Sequence, residues 1–184
     1  MNKLIIITGN LASGKSTLAK ALGDYLNCVV INKDELKEIE CDVFDYRNRE
    51  ENRLLSIAAI KNMIHFFSRL ALTNQDAILE ANFRTDEICE IADIAKENNY
   101  EVILLELIGD YELLYERFLD RMKTRHKAHM SIGLQNDFDK FIEYNEELLN
   151  QDLVFKPHII DMTDMNATKV FEETLKILKE NKML

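Results

Sequence analysis

The sequence predicts an α/β fold in which a five-stranded parallel sheet is flanked by helices. Two observations predict it. Five short apolar runs, at 3–8, 28–32, 77–81, 101–108 and 158–161, are rich in Ile, Leu and Val. They lack the strict alternation of a half-exposed strand, which suits parallel strands buried on both faces. Between them the apolar spacing changes to that of helices, and alternating strands and helices build a doubly wound sheet.

The first run, Leu4-Ile5-Ile6-Ile7, leads into Gly9-Asn10-Leu11-Ala12-Ser13-Gly14-Lys15-Ser16. This fits G-x-x-x-x-G-K-[ST], and the strand before it and helix after it are the context that motif needs. The glycines let backbone N–H groups turn inward around phosphate, and the helix N-terminus adds partial positive charge. Lys15 reaches the β- and γ-phosphates of a nucleotide, the Ser16 hydroxyl ligates Mg²⁺, and Thr17 completes the nucleotide-binding set. Helix 15–27 carries Leu18, Ala21, Leu22, Tyr25 and Leu26 at helical spacing. A long helix over 48–73 presents Ile57, Ile60, Ile64, Phe67 and Ala71, and shorter helices follow at 85–98, 110–124 and 136–150. The last, 166–182, buries Val170, Phe171, Thr174 and Leu178. One proline, five glycines and no low-complexity tract leave no linker. The chain therefore reads as a single domain, 1–184, with the three-layer P-loop NTPase fold and a helical lid at about 115–135.

Composition narrows the function. A net charge of −10 argues against broad adhesion to nucleic acid or anionic membrane. The three cysteines, Cys28, Cys41 and Cys89, have no C-x-x-C spacing and read as reduced thiols. No apolar run approaches the roughly 20 residues that span a bilayer. The N-terminal apolar stretch is too short for a signal peptide and runs straight into the phosphate loop. The expected location is the cytoplasm, and the composition leaves the oligomeric state open.

In doubly wound sheets ligands collect at the C-terminal ends of the strands, so the residues just after each strand carry the chemistry. After the second comes Asn32-Lys33-Asp34-Glu35. Asp34 is placed to orient or deprotonate an acceptor hydroxyl, and it also fits an N-cap opening the next helix. This string is not the guanine-reading N-K-x-D: it ends in Glu, lies too near the phosphate loop and has no D-x-x-G companion. After the third strand comes Glu80-Ala81-Asn82-Phe83-Arg84. Glu80 can accept hydrogen bonds from the water shell of Mg²⁺ held on Ser16. Asn82 and Arg84 face the cleft, where Arg84 can clamp an anion.

Beyond the fourth strand, Arg117, Arg121 and Arg125 recur at i, i+4 and i+8 and share one helical face. Leu114, Phe118 and Met122 form the adjacent apolar stripe. In an acidic chain this cluster suits a lid that offsets charge developing in phosphoryl transfer. A solvated face paired with Glu112, Glu116 and Asp120 is the alternative. His126 and His129 lack a third metal ligand and read as polar lid contacts. After the fifth strand, Thr163 or Asp164 caps the final helix. The acceptor pocket is expected between 34–60 and 82–88, where Arg47, Arg49, Arg53 and Arg84 favour a phosphorylated or carboxylated acceptor.

In this order the pieces resemble the small P-loop kinases, in particular the group related to chloramphenicol phosphotransferase and zeta-type toxins. The resemblance covers nearly the whole chain: the loop at 9–16, Asn32 to Glu35, Glu80 to Phe83, and Glu116-Arg117-x-x-x-Arg121-x-x-x-Arg125-His126-x-x-His129. It implies a Mg·ATP-dependent phosphotransferase acting on a small-molecule hydroxyl. It further implies that Lys15 and Ser16 bind phosphate and Mg²⁺, that Asp34 is the acceptor-side base, that Arg117 lies near adenine, and that Arg121 or Arg125 meets the phosphates. Between the two histidines stand Lys127 and Ala128, where close relatives carry Pro-Gly. Three alternatives stay open: a toxin-like kinase of nucleotide sugars, a nucleic-acid end kinase, and an ATP-binding regulator that transfers nothing.

Overall fold

The computed structural model describes residues 2–129 and 133–184. Among these, five strands form one parallel sheet: β1 (Asn2–Gly9), β2 (Val29–Asn32), β3 (Ala77–Glu80), β4 (Tyr100–Ile108) and β5 (Pro157–Asp161). Seven helices alternate with them: α1 (Lys15–Leu26), α2 (Lys33–Val43), α3 (Arg49–Leu72), α4 (Thr85–Glu97), α5 (Tyr111–Met122), α6 (Phe138–Leu149) and α7 (Ala167–Glu180). A 3₁₀ turn, Leu134–Asn136, precedes α6.

The apolar runs become central strands because both their faces are covered. Leu4 and Ile6 join one apolar layer with Met63 and Phe67 of α3 and Ile88 and Ile91 of α4. Ile5 and Ile7 join the other, with Leu18 and Leu22 of α1, Phe118 of α5, Phe141 of α6 and Leu178 of α7. Each side chain fully buried in this way contributes about 2 kcal/mol. The result is three layers, as the alternation predicts.

The sheet order is β2-β3-β1-β4-β5. The chain runs from β1 outward to β2 and back to β3, then crosses to β4 on the other side. This reversal opens a crevice at the C-terminal end of β1, where the phosphate loop sits. The loop is pinned from three directions. Asn10 N–H donates to Leu107 O of β4 at 2.9 Å, and Gly109 N–H donates to Asn10 Oδ1 at 3.3 Å. Leu11 N–H donates to Asn145 Oδ1 of α6 at 2.7 Å.

Four local expectations change. Between β2 and residue 48, where the sequence marks Asp34 as a helix-opening N-cap, α2 fills 33–43. Its N-cap is Asn32, not Asp34: Asn32 Oδ1 accepts from the N–H groups of Asp34 and Glu35 at 2.8 and 3.1 Å. That leaves the Asp34 side chain free to face the cleft. Helix α5 ends at Met122, so Arg125 does not continue the helical face of Arg117 and Arg121. The chain after it is drawn away by contacts to α2 and α3. Ile57 leaves the buried face of α3 and lines the cleft. Finally, the cap of α7 is Asn166, which accepts from Lys169 N–H at 3.0 Å. Thr163 instead donates to Asp161 at 2.6 Å and accepts from Asp110 N–H at 2.9 Å, tying β5 to the start of α5.

Gly9 has φ +125°, and a Cβ there would lie 2.0 Å from Leu107 O in the rigid sheet. Gly14 has φ +90° with open space around it. Gly9→Ala is therefore expected to cost about 3 kcal/mol or more, from strain plus overlap with backbone. Gly14→Ala should cost only about 1 kcal/mol, from its left-handed backbone. Urea denaturation of the two variants checks the order; equal losses would show that Gly9 is not the tighter position.

Candidate active site

Below the crevice lies a cleft of about 600 Å³. One wall is the phosphate loop, Leu11 to Ser16. The other comes from α2, α3 and the segment after β3, and Arg121 and Arg125 overhang it. Lys15, Lys33, Lys37, Arg49, Arg53, Arg84, Arg121 and Arg125 face it against Asp34, Glu80, Asp86, Glu87 and Glu147. The cleft is thus rich in cations although the chain carries −10 overall.

Lys15 opens α1 and is buried. Its ammonium folds back onto the loop, donating to Gly9 O at 3.1 Å and Asn10 O at 2.6 Å. One of its three N–H donors is left for a ligand. Burial pushes its pKa down to about 8, against the pull of Glu80 and Asp34. Ala12 adopts φ +59° between Gly9 and Gly14, so the loop N–H groups form an anion-binding concavity. Ser13 Oγ donates to Asn10 O at 2.9 Å and closes it.

Glu80 ends β3, in register with Ile7 of β1 and Asn32 of β2. It is 5% exposed. Ser16 Oγ donates to its Oε2 at 2.9 Å, and Asn32 Nδ2 donates to the same oxygen. Burial raises its pKa, against Lys15. Such a carboxylate gains from a cation, and its oxygen with Ser16 Oγ is a hard donor set suited to Mg²⁺. Among the described residues no cluster of three or more His, Cys, Asp or Glu gathers to cage a metal. Magnesium usually keeps waters and phosphate oxygens as its remaining ligands, so these residues fit it.

Asp34 sits in the first turn of α2, across the cleft. Its Oδ2 meets Arg125 Nη2 at 3.4 Å and His129 Nδ1 at 3.7 Å; its Oδ1 meets Lys33 Nζ at 3.4 Å. Partial burial raises its pKa, but Lys33, His129, Arg125 and Lys15 outweigh that and hold it below the ordinary value. The His129 side chain is 7% exposed and bonds to Glu38 Oε1 at 2.6 Å. Burial lowers its pKa, against the pull of the Asp34 and Glu38 carboxylates. His126 meets Asp42 at 3.1 Å, and the Ala128 N–H donates to its other ring nitrogen at 3.1 Å. Both histidines thus make polar contacts of the lid segment. Tyr46 Oη donates to Lys127 O and Asn52 Nδ2 to Ala128 O, at 2.6 and 3.0 Å. Together these bonds fasten 126–129 to α2, Tyr46 and the start of α3. Residues 130–132 of the expected lid lie outside the described residues.

Most of the sequence-predicted residues converge: Lys15, Ser16, Asp34, Glu80, Asn82, Arg84, Arg121 and Arg125 line one cleft. Asn82 Oδ1 is buried without a partner. Arg49 and Arg53 line the cleft and Arg47 does not. Thr17 is exposed on the other side of α1. Arg117 stands apart from the cleft lining and donates to Met162 Sδ at 3.3 Å, at the ends of β4 and β5. Sequence reasoning missed Asn32, Lys37, Asn52 and Asn145. Asn32 followed by Glu35 carries a helix-start signal that could have found it. Asn145, a polar residue on the apolar face of α6, is fully buried.

A phosphate loop on the first strand of a sheet ordered this way, beneath lid arginines, is the build of a P-loop kinase. A family model for zeta toxin matches residues 2–180, and the chain belongs to that family. Solved structures share the fold. A suspected kinase from Chloroflexus aurantiacus J-10-fl is 24% identical, covers 95% of this chain and 97% of its own, and has a TM-score of 0.80. A gluconokinase from Sinorhizobium meliloti 1021 is 16% identical, with 97% and 92% covered and a TM-score of 0.63. A shikimate kinase from Acinetobacter baumannii, in complex with shikimate, is 14% identical, with 100% and 97% covered and a TM-score of 0.64. Comparison with curated proteins returned no match.

A polyphosphate beside Lys15 would restore its charge. Nucleotide binding is therefore expected to take up protons, more at pH 8.5 than at pH 7, because the free lysine is mostly neutral only above about 8. About half a proton or more is expected at pH 8.5. Calorimetry in buffers of different ionisation enthalpy measures it; uptake that stays flat between the two pH values would rule out the depressed lysine.

Proposed function

We propose that this protein transfers the γ-phosphoryl group of Mg·ATP to a hydroxyl of a small-molecule acceptor. The observation that carries the reading is the position of Asp34. An ionised carboxylate faces the phosphate loop across one cleft, flanked by the arginine that overhangs it. The neighbours named for gluconate and shikimate support a small hydroxylated acceptor. The unpaired cysteines and the acidic net charge favour work in the cytoplasm without nucleic acid.

In this mechanism the loop N–H groups and Lys15 hold the β- and γ-phosphates. Ser16 and Glu80 would hold Mg²⁺, which when bound would offset charge on the phosphates. Asp34 turns the acceptor hydroxyl toward the γ-phosphorus. The new O–P bond forms as the bond to the β-phosphate oxygen breaks. The hydroxyl proton passes to Asp34, and ADP leaves. The transition state is loose, so placement and charge matter more than a strong base. That agrees with a carboxylate held below its ordinary pKa. Arg121 and Arg125 stabilise the equatorial oxygens, which requires Arg125 to exchange Asp34 for phosphate. Arg117, at the ends of β4 and β5, serves the adenine side. Asn82 and Arg84 contact the acceptor. The zeta toxin family membership favours a second reading, a toxin-like kinase of nucleotide sugars, which predicts growth arrest on expression.

ADP release from Mg·ATP is measured against a panel of hydroxylated acids, sugars, nucleosides, antibiotics and nucleotide sugars. One class is expected to stimulate it. Asp34→Asn should lower that turnover about 100-fold or more while nucleotide affinity stays within a few fold. Lys15→Ala should weaken nucleotide binding more than Asp34→Asn does. Unchanged turnover in Asp34→Asn would remove it as the base, and tight ATP binding that no acceptor stimulates would favour a regulatory nucleotide switch.

A further inference from the structure

The acceptor half of the cleft holds a buried cation that phosphoryl transfer does not use. Lys37 is 7% exposed and lines the cleft wall. It lies three residues after Asp34 and four after Lys33, so all three groups share one side of α2. Its ammonium donates to Asn52 Oδ1 at 2.9 Å. The other end of that amide donates to Ala128 O at 3.0 Å, which fixes the orientation of Asn52 and with it the position of Lys37. Among the described residues this neutral amide is the only hydrogen-bond partner of Lys37, and two of its three donors stay uncommitted.

A buried ammonium facing a neutral amide is a net cost to folding. Burial, and then Lys33, push its pKa below the ordinary value, only partly offset by Asp34. Nothing in the packing requires the charge, since an uncharged chain of the same length would fill the space. A cost of this kind is retained where a ligand repays it. The ligand must bring negative charge, and Arg53, the residue after Asn52, faces the same cleft.

We infer that Lys37 is the anion-reading residue of the acceptor subsite, so the acceptor carries a carboxylate or a phosphate ester about one helical turn from the hydroxyl held at Asp34. This rests on the kinase reading of the cleft. A neutral polyol would leave Lys37 desolvated and unpaired, so the same contact discriminates against uncharged acceptors. Lys37 also sits two hydrogen bonds from the lid through Asn52, which links acceptor charge to the segment carrying Arg125.

The test fills the phosphate loop first, with Mg²⁺ and the non-hydrolysable β,γ-imido analogue of ATP, then titrates inorganic phosphate and malonate by calorimetry. At least one anion is expected to bind saturably in the millimolar range. Phosphate alone points to a phosphate ester, malonate alone to a carboxylate. Lys37→Met and Lys37→Gln should weaken that binding at least tenfold while melting at the same temperature as the parent or higher. Binding of neither anion, equal binding in both variants, or failure of both variants to fold would each overturn the proposal; the last would show a structural lysine. Failure of the imido nucleotide to bind would instead overturn the kinase reading.

Discussion

One buried carboxylate joins the two halves of the cleft. Glu80 ends the strand beside β1, where water is excluded and an unpartnered charge would be expensive. Its oxygen accepts from Ser16 on the nucleotide side and from Asn32 on the acceptor side. Asn32 in turn caps α2 with its other atom. That cap sets the start of the helix, and the start sets which side Lys33, Asp34 and Lys37 present. Glu80 and the start of α2 are therefore joined through one amide. A change at Glu80 would reach the acceptor wall through a single amide.

The second constraint is charge. The cleft gathers cations on an acidic protein, and burial depresses three of them: Lys15, Lys37 and Arg125. Each is held with fewer carboxylates than it could use. Arg125 shares Asp34 with Lys33 and His129, and its Nε is buried without a partner. Such a site is built to be completed by anions. The segment that carries Arg125 is tied to the acid residues of α2 through His126, Lys127 and His129.

Much of the fold was legible because it depends on local rules. The run Leu4 to Ile7 has to be central, since a strand apolar on both faces needs cover on both. The phosphate loop carries its own geometry in Gly9, Gly14 and Lys15. Residues at or just after a strand end, such as Glu80 and Asp34, were found because the topology brings strand ends together. What stayed hidden depends on distant partners. The end of α5 at Met122 is not marked by glycine or proline; it follows from the pull of α2 and α3 on 125–129. Lys37 and Asn145 look like ordinary polar helix residues until tertiary packing buries them.

The sequence by itself therefore determined the class of fold, the order of its elements and the phosphate-binding end of the cleft, because spacing and loop chemistry are properties of neighbouring residues. Only the tertiary structure decided which cations face the cleft, which residue caps α2, and that Asp34 is shared among Lys33, Arg125 and His129. Those depend on burial and on contacts across as many as 95 positions of chain (129 − 34), from Asp34 to His129. Desolvation, which sets the charge state of each group in the cleft, exists only once the layers have closed.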